Sequence, residues 1–144
     1  FGVEVDGKEP WLTIPDSDVT SKPIVIARSE RYNNNFFPWR RLTNEFRSRM
    51  QFVGTQREYD LFSKTFGAVE FHPTRTILDL ANVIKAAKVF IGNQSCPLAI
   101  ALGLGKNTIC EVWRGDPNCK LPRENAIYAD SDKVDIPQSW LKPQ

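Results

Sequence analysis

Lys88-Val89-Phe90-Ile91-Gly92-Asn93-Gln94-Ser95-Cys96-Pro97-Leu98-Ala99-Ile100-Ala101-Leu102-Gly103-Leu104 is the stretch on which the reading of this chain turns. Residues 88–92 read as a strand, with the unbroken apolar run Val89-Phe90-Ile91 after Lys88, the pattern of a strand covered on both faces. Residues 97–104 are an apolar helix, ended by Gly103 and Gly105. A short polar turn joins them. Gly92 allows a backbone turn that residues with a Cβ resist. Ser95 is placed to cap the helix, and Pro97 suits its first turn. Free amides at such a helix start make a positive end that suits phosphate. Every βα unit needs residues of this kind, so Gly92 as a turn and Ser95 as a cap also stand as a purely structural reading.

The same alternation extends outward on both sides. Residues 23–27 read as a first buried strand, followed by a polar loop over 28–37. Pro38 then opens a helix at its favoured first position, with Trp39, Leu42, Phe46 and Met50 on its inner side. Residues 51–54 form a second strand. Thr55 and Glu58 fit a capping box that starts a second helix with Tyr59, Phe62 and Phe66 inward. Gly67 closes it, and 69–71 is a brief third strand. Thr76 and Asp79 give a second capping box. Its helix carries Ile77, Leu80, Ala81, Ile84 and Ala87 on one stripe. Residues 108–113 are a fifth strand and 126–129 a sixth. Strands joined by helices imply a parallel sheet with right-handed crossovers, so the expected class is α/β: a three-layer, Rossmann-like parallel sheet.

The bulk numbers fit one such domain. The chain has 144 residues, 41% hydrophobic and 25% charged. The expected organisation is an extended lead-in or interdomain linker over 1–15, the Rossmann-like domain over 16–130, and a C-terminal tail over 131–144. A net charge of +2 gives no argument for nucleic acid. No apolar run approaches the ~20 residues of a transmembrane segment. Cys96, Cys110 and Cys119 form no CxxC pair, and His72 is the single histidine, so no metal site is expected. The same cysteine usage fits a reducing, cytoplasmic setting.

In parallel sheets ligands bind beyond the carboxyl ends of the strands. That selects the loops 28–37, 54–58, 72–76 and 92–97. Arg28 and Arg31 follow the first strand, and either guanidinium matches the oxygens of a diphosphate. Glu58 is placed to accept hydrogen bonds from ribose hydroxyls, beside its capping role. His72 stands in a loop whose backbone suits a base edge, with no nucleophile or acid beside it in sequence. Asn93, Gln94, Ser95 and Cys96 complete the candidate nucleotide-binding set. No catalytic residue is assigned.

Phe37-Pro38-Trp39-Arg40-Arg41-Leu42, Phe52-Val53-Gly54-Thr55 with Glu58, Thr76-Ile77-Leu78-Asp79-Leu80-Ala81, and Ala86-Ala87-Lys88-Val89-Phe90-Ile91-Gly92-Asn93 occur in that order. As an ordered set, with Pro10-Trp11-Leu12 before them, they resemble the C-terminal, donor-binding half of GT-B glycosyltransferases. They resemble in particular the ADP-heptose:lipopolysaccharide heptosyltransferase-like family (glycosyltransferase family 9-like). The resemblance runs from Pro10 to Trp113. It implies a nucleoside-diphosphate sugar resting on the helix near Ser95, with the nucleoside along Glu58 and the 72–76 loop. It implies no metal and no other cofactor, because helix amides and arginines neutralise the diphosphate. It also implies a missing N-terminal domain that brings the general base and the acceptor, a glycan or lipid. On this reading the chain is a fragment or a diverged relative, inactive alone. Where the family has an acid, a glycine and a histidine, this chain has Gln94, Cys96 and Ala99. Those departures keep two alternatives open: a non-catalytic sugar-nucleotide-binding or protein-interaction module, and a GT-B-like sugar-nucleotide epimerase.

Overall fold

A computed structural model describes residues 6–116 and 118–143. The elements run β1 (Ile24–Ala27), α1 (Trp39–Phe46), a 3-10 turn (Arg47–Arg49), β2 (Met50–Phe52), α2 (Gln56–Phe66), β3 (Glu70–Phe71) and α3 (Ile77–Ala86). They continue through β4 (Val89–Asn93), α4 (Cys96–Gly103), β5 (Asn107–Glu111), β6 (Ala126–Ala129) and α5 (Gln138–Leu141). The six strands make one sheet in the order β3-β2-β1-β4-β5-β6, and every pairing is parallel. This is the doubly wound Rossmann order. The winding reverses between β1 and β4, which pair in register from Ile24 with Val89 to Ala27 with Gly92.

The unbroken apolar strands follow from burial on both faces. Ile24, Ile26, Val89 and Ile91 point into one core, while Val25, Ala27 and Phe90 point into the other. The first core is aromatic. Trp39 meets Phe62 edge-on at 5.2 Å, and Phe52 packs on Phe62 at 5.3 Å. The second core is filled by Ala81, Val83 and Ile84 of α3 and Leu98, Ala101 and Leu102 of α4. The two flanking segments are packed onto this domain. The Trp11 and Leu12 amides both donate to Gly103 O, and the Arg123 guanidinium donates to Gly7 O and Glu9 O. Val134, Ile136 and Leu141 from the 131–144 stretch lie in the first core.

Four local expectations are corrected. Met50 belongs to β2, because the chain tightens into the 3-10 turn after Phe46 and re-enters the sheet. Pro38 takes the N-cap position of α1, one residue before the helix. The fifth strand ends at Glu111, short of Trp113. Ile77 leaves the inner stripe of α3 and is 70% exposed, because it is the first residue of the helix and lies outside the core that Ala81 and Ile84 fill.

Gly92 is also required for a different reason from the one expected. It sits inside β4, and its φ is not in the left-handed region. A Cβ there would lie 2.8 Å from the backbone oxygen of Ala27 and 2.8 Å from the Phe90 ring. Steric contact across β1 and β4 therefore excludes a side chain. Gly92→Ala should lower stability by about 1–3 kcal/mol in urea denaturation. A variant as stable as the parent would show that the two strands can separate freely here.

Candidate functional site

The carboxyl ends of β1 to β4 open into a cleft of about 500 Å³. That is in the size range of small-ligand sites. All four loops selected from sequence contribute to its lining: Ser29 and Arg31, then Gly54 with Thr55 and Glu58, then 74–76, then Gln94 to Pro97. Ile77 and Leu80 of α3 add an apolar wall. The exposed position of Ile77 thus has a local explanation, since it borders the cleft rather than the core.

Three helices begin at this cleft, and they differ at their first turns. In α2 the Thr55 side chain accepts from Glu58 N while Glu58 Oε2 accepts from Thr55 N. In α3 Thr76 and Asp79 close the same box. At α4 Ser95 occupies the N-cap with an extended backbone but makes no capping bond. Its hydroxyl donates to Asn93 O at 3.2 Å instead, so the cap expected from sequence is corrected. The first-turn amides of α4 receive no side-chain acceptor, and the positive end of the helix is left open to the cleft.

The two arginines after β1 part company. Arg28 is held by Glu111 through Nε at 2.9 Å and Nη2 at 2.8 Å, and its guanidinium lies 5.1 Å from the Phe66 ring centre. That pairing takes its charge away from the cleft. Arg31 lines the cleft and has no carboxylate partner among the described residues. Glu58 keeps both readings: Oε2 is spent on the cap, while Oε1 has no hydrogen bond among the described residues and the side chain lines the cleft. His72 lies at the end of β3, where its amide donates to Phe52 O, and it is not part of the cleft lining. Gln94 bridges to the loop after β5, accepting from Trp113 N at 2.9 Å and donating to Asp116 O at 2.9 Å.

Asn93 is fully buried and works as a latch. Its Oδ1 accepts from Ser29 N at 3.0 Å, and its Nδ2 faces Arg31 O at 2.6 Å together with Ser29 O, Ser29 Oγ and Asn33 Oδ1. Glu111 is the second fixed point and was missed from sequence. It is fully buried and accepts from Arg28, from Trp39 Nε1 at 2.7 Å and from Asn34 N at 2.6 Å. An acid inside the apolar strand Thr108-Ile109-Cys110-Glu111-Val112 was the available signal, since a buried carboxylate demands partners. The loop between these posts presents exposed Tyr32 and Phe36, the first beside Trp113 and the second under the Arg114 guanidinium at 4.3 Å. Tyr32 has φ of 58°, and its ring lies 5.4 Å from that of Trp113.

Among the described residues no group of three or more His, Cys, Asp or Glu converges as a metal ligand set. No described helix is long and apolar enough to cross a membrane.

No family model matches the sequence, and no curated protein matches it either. Two solved structures of the E. coli heptosyltransferase WaaC are similar, one with ADP-2-deoxy-2-fluoro heptose at a TM-score of 0.59 and one with ADP at 0.56. Sequence identity is 18% in both. The likeness is one of fold: a Rossmann-like α/β domain similar to part of this GT-B enzyme. The likeness covers 76% of this chain but only 37% of WaaC, so the chain spans well under half of that protein's length.

The thiols report on this geometry. Cys96 is exposed at the cleft. Burial pushes the Cys110 thiol far up, and Cys119, 4.0 Å away, adds to the shift; burial raises Cys119 as well. Because the thiolate is the reactive form, iodoacetamide at pH 8 should label Cys96 well before the other two. Equal labelling in native protein, read by peptide mass spectrometry, would contradict the burial assigned here.

Proposed function

We propose that the chain is the donor-binding half of a glycosyltransferase and seats a nucleoside-diphosphate sugar in the carboxyl-edge cleft. The observation that carries this reading is the open, uncapped start of α4 at the switch point of the sheet, in a cleft that Arg31 also lines. The diphosphate lies against the amides of Cys96 and Leu98, with the Arg31 guanidinium adding charge. Glu58 Oε1 accepts from ribose, and Ile77 and Leu80 border the base. In glycosyl transfer the bond from the sugar carbon to the diphosphate breaks and negative charge builds on the leaving oxygen. The helix end and Arg31 stabilise that charge where it develops. The acceptor and the general base come from a second domain. The WaaC structures were solved with ADP and an ADP-heptose analogue, which makes an ADP-sugar the first compound to try.

A thermal-shift panel of ADP-, UDP- and GDP-sugars tests this directly. A ligand at ~100 times its dissociation constant should add roughly 2.7 kcal/mol of stability. Arg31→Ala and Ser95→Ala should shrink the shift, whereas His72→Ala should leave it. The sugar nucleotide that shifts the melting curve should also protect Cys96 from alkylation. Silence across the panel, or equal effects of the three variants, would remove the donor-site reading. It would favour a protein-interaction module, for which the exposed Tyr32, Phe36 and Trp113 rim is the supporting observation.

A further inference from the structure

We propose that the opposite, amino-terminal edge of the sheet carries a second anion site, in which Lys85, Lys88, Lys106 and Lys142 surround Trp140 and bind a phosphate group. The site goes beyond the donor reading and does not depend on it. These residues line a cavity of about 540 Å³ whose lining contains no Asp or Glu. They come from the end of α3, the start of β4, the turn before β5 and the chain after α5. Three separate stretches of chain, 85–88, 106 and 142, thus place four like charges in one hollow, an arrangement that repels itself unless something negative offsets it.

Neutralising helix ends accounts for only part of this charge. The carboxyl ends of α3 and α4 lie here, and each carries about half a negative charge. Lys85 also pairs with Asp16 at 2.9 Å. Setting four lysines against one carboxylate and two half charges leaves roughly +2, close to the charge of a phosphate monoester. The ammonium groups are tethered at the rim of the hollow, Lys85 Nζ by Ile14 O at 3.2 Å as well as by Asp16. Lys106 Nζ donates to Lys85 O at 3.0 Å, and Lys88 Nζ donates to Lys142 O at 2.8 Å. Lys106 thereby uses one of its three protons, while Lys88 also reaches Leu141 O at 3.5 Å and keeps one proton free. Lys106 has no carboxylate partner among the described residues, and burial lowers its pKa, as expected of a charge held partly out of water without a counter-ion. The Trp140 ring and the Asn107 amide supply an apolar wall and a neutral donor.

Free phosphates and the headgroups of anionic lipids share this chemistry, and two probes separate them. The first is inorganic pyrophosphate titrated into the ¹⁵N-labelled chain. The second is sedimentation with phosphatidylglycerol-containing vesicles, with phosphatidylcholine vesicles as the control. We expect saturable shifts at Lys106, Asn107 and the Trp140 indole with pyrophosphate, or co-sedimentation with the anionic vesicles alone. Lys85→Gln/Lys142→Gln changes two surface-reaching side chains and should weaken whichever probe binds by about tenfold. Arg31→Ala should leave that binding unchanged, which separates this site from the cleft. The proposal is overturned if neither probe binds at this edge, or if the double variant binds as the parent does. Should the double variant melt early, Lys142→Gln alone carries the same comparison.

Discussion

Glu111→Ala should destabilise the domain by about 3–5 kcal/mol. The carboxylate is fully buried and holds four donors at once: two on Arg28, the Trp39 indole and the Asn34 amide. Its removal strands the Arg28 charge, whose side chain is only 14% exposed, and leaves the Trp39 N–H without its acceptor inside an aromatic core. For a domain of this size such a loss moves the melting temperature by on the order of 10 °C. Urea denaturation with unchanged slope measures it. The companion Glu111→Leu/Arg28→Met removes both charges and should recover much of the loss, since apolar replacements of a buried pair are often neutral. A loss below about 1 kcal/mol in Glu111→Ala, within the range of a solvent-exposed pair, would mean water reaches the site.

Why Glu111 escaped a sequence reading, while most of the fold did not, is a matter of range. Strands, helices and caps are written locally. Thr55 with Glu58 and Thr76 with Asp79 are pairs three residues apart, and both close in the structure as capping boxes. Gly67 ends α2 within its own turn. The rule that ligands gather at carboxyl ends adds the topology, and the loops it selects do meet at one cleft. Glu111 finds its partners 72, 77 and 83 residues away, and no spacing rule reaches that far. The choice between Arg28 and Arg31 stayed open in the sequence for the same reason, because it depends on which of them Glu111 captures. Ser95 shows a subtler limit. Its residue type and position suit a cap, but the Asn93 carbonyl lies within reach of the same hydroxyl and takes it.

The two posts act on one loop. Glu111 on β5 fixes Arg28 and Asn34, and Asn93 on β4 fixes Ser29, Arg31 and Asn33. The loop is therefore pinned from its first residue to its middle, including Tyr32 in the left-handed region that bulky residues resist. Such preorganisation limits what a ligand must order on binding, and it determines where the Arg31 guanidinium stands.

Asn93→Asp tests that link more sharply than truncation does. Asn93→Ala empties the latch and leaves the Ser29 amide and the Arg31 carbonyl unpaired, at a cost of about 1–3 kcal/mol. Asn93→Asp is nearly isosteric and keeps the acceptor for Ser29 N, yet it should be worse, at about 3–5 kcal/mol near neutral pH. The reason is the side that now donates. Nδ2 faces Arg31 O, Ser29 O, Ser29 Oγ and Asn33 Oδ1, and a carboxylate oxygen there would confront oxygens with a buried charge. Burial among those oxygens disfavours the charged form, so the pKa of the new carboxyl group in the folded state rises above the unfolded value. The folded state then binds the extra proton, and the stability of this variant should increase as pH falls through the folded pKa. Asn93→Ala should show no such recovery. If nucleotide sugar binds as proposed, the thermal shift should vanish in Asn93→Asp at neutral pH even where the protein remains folded, because Arg31 is released from its place. An Asp variant as stable as the parent, or one that loses stability on acidification, would show that the amide does not serve as the donor described here.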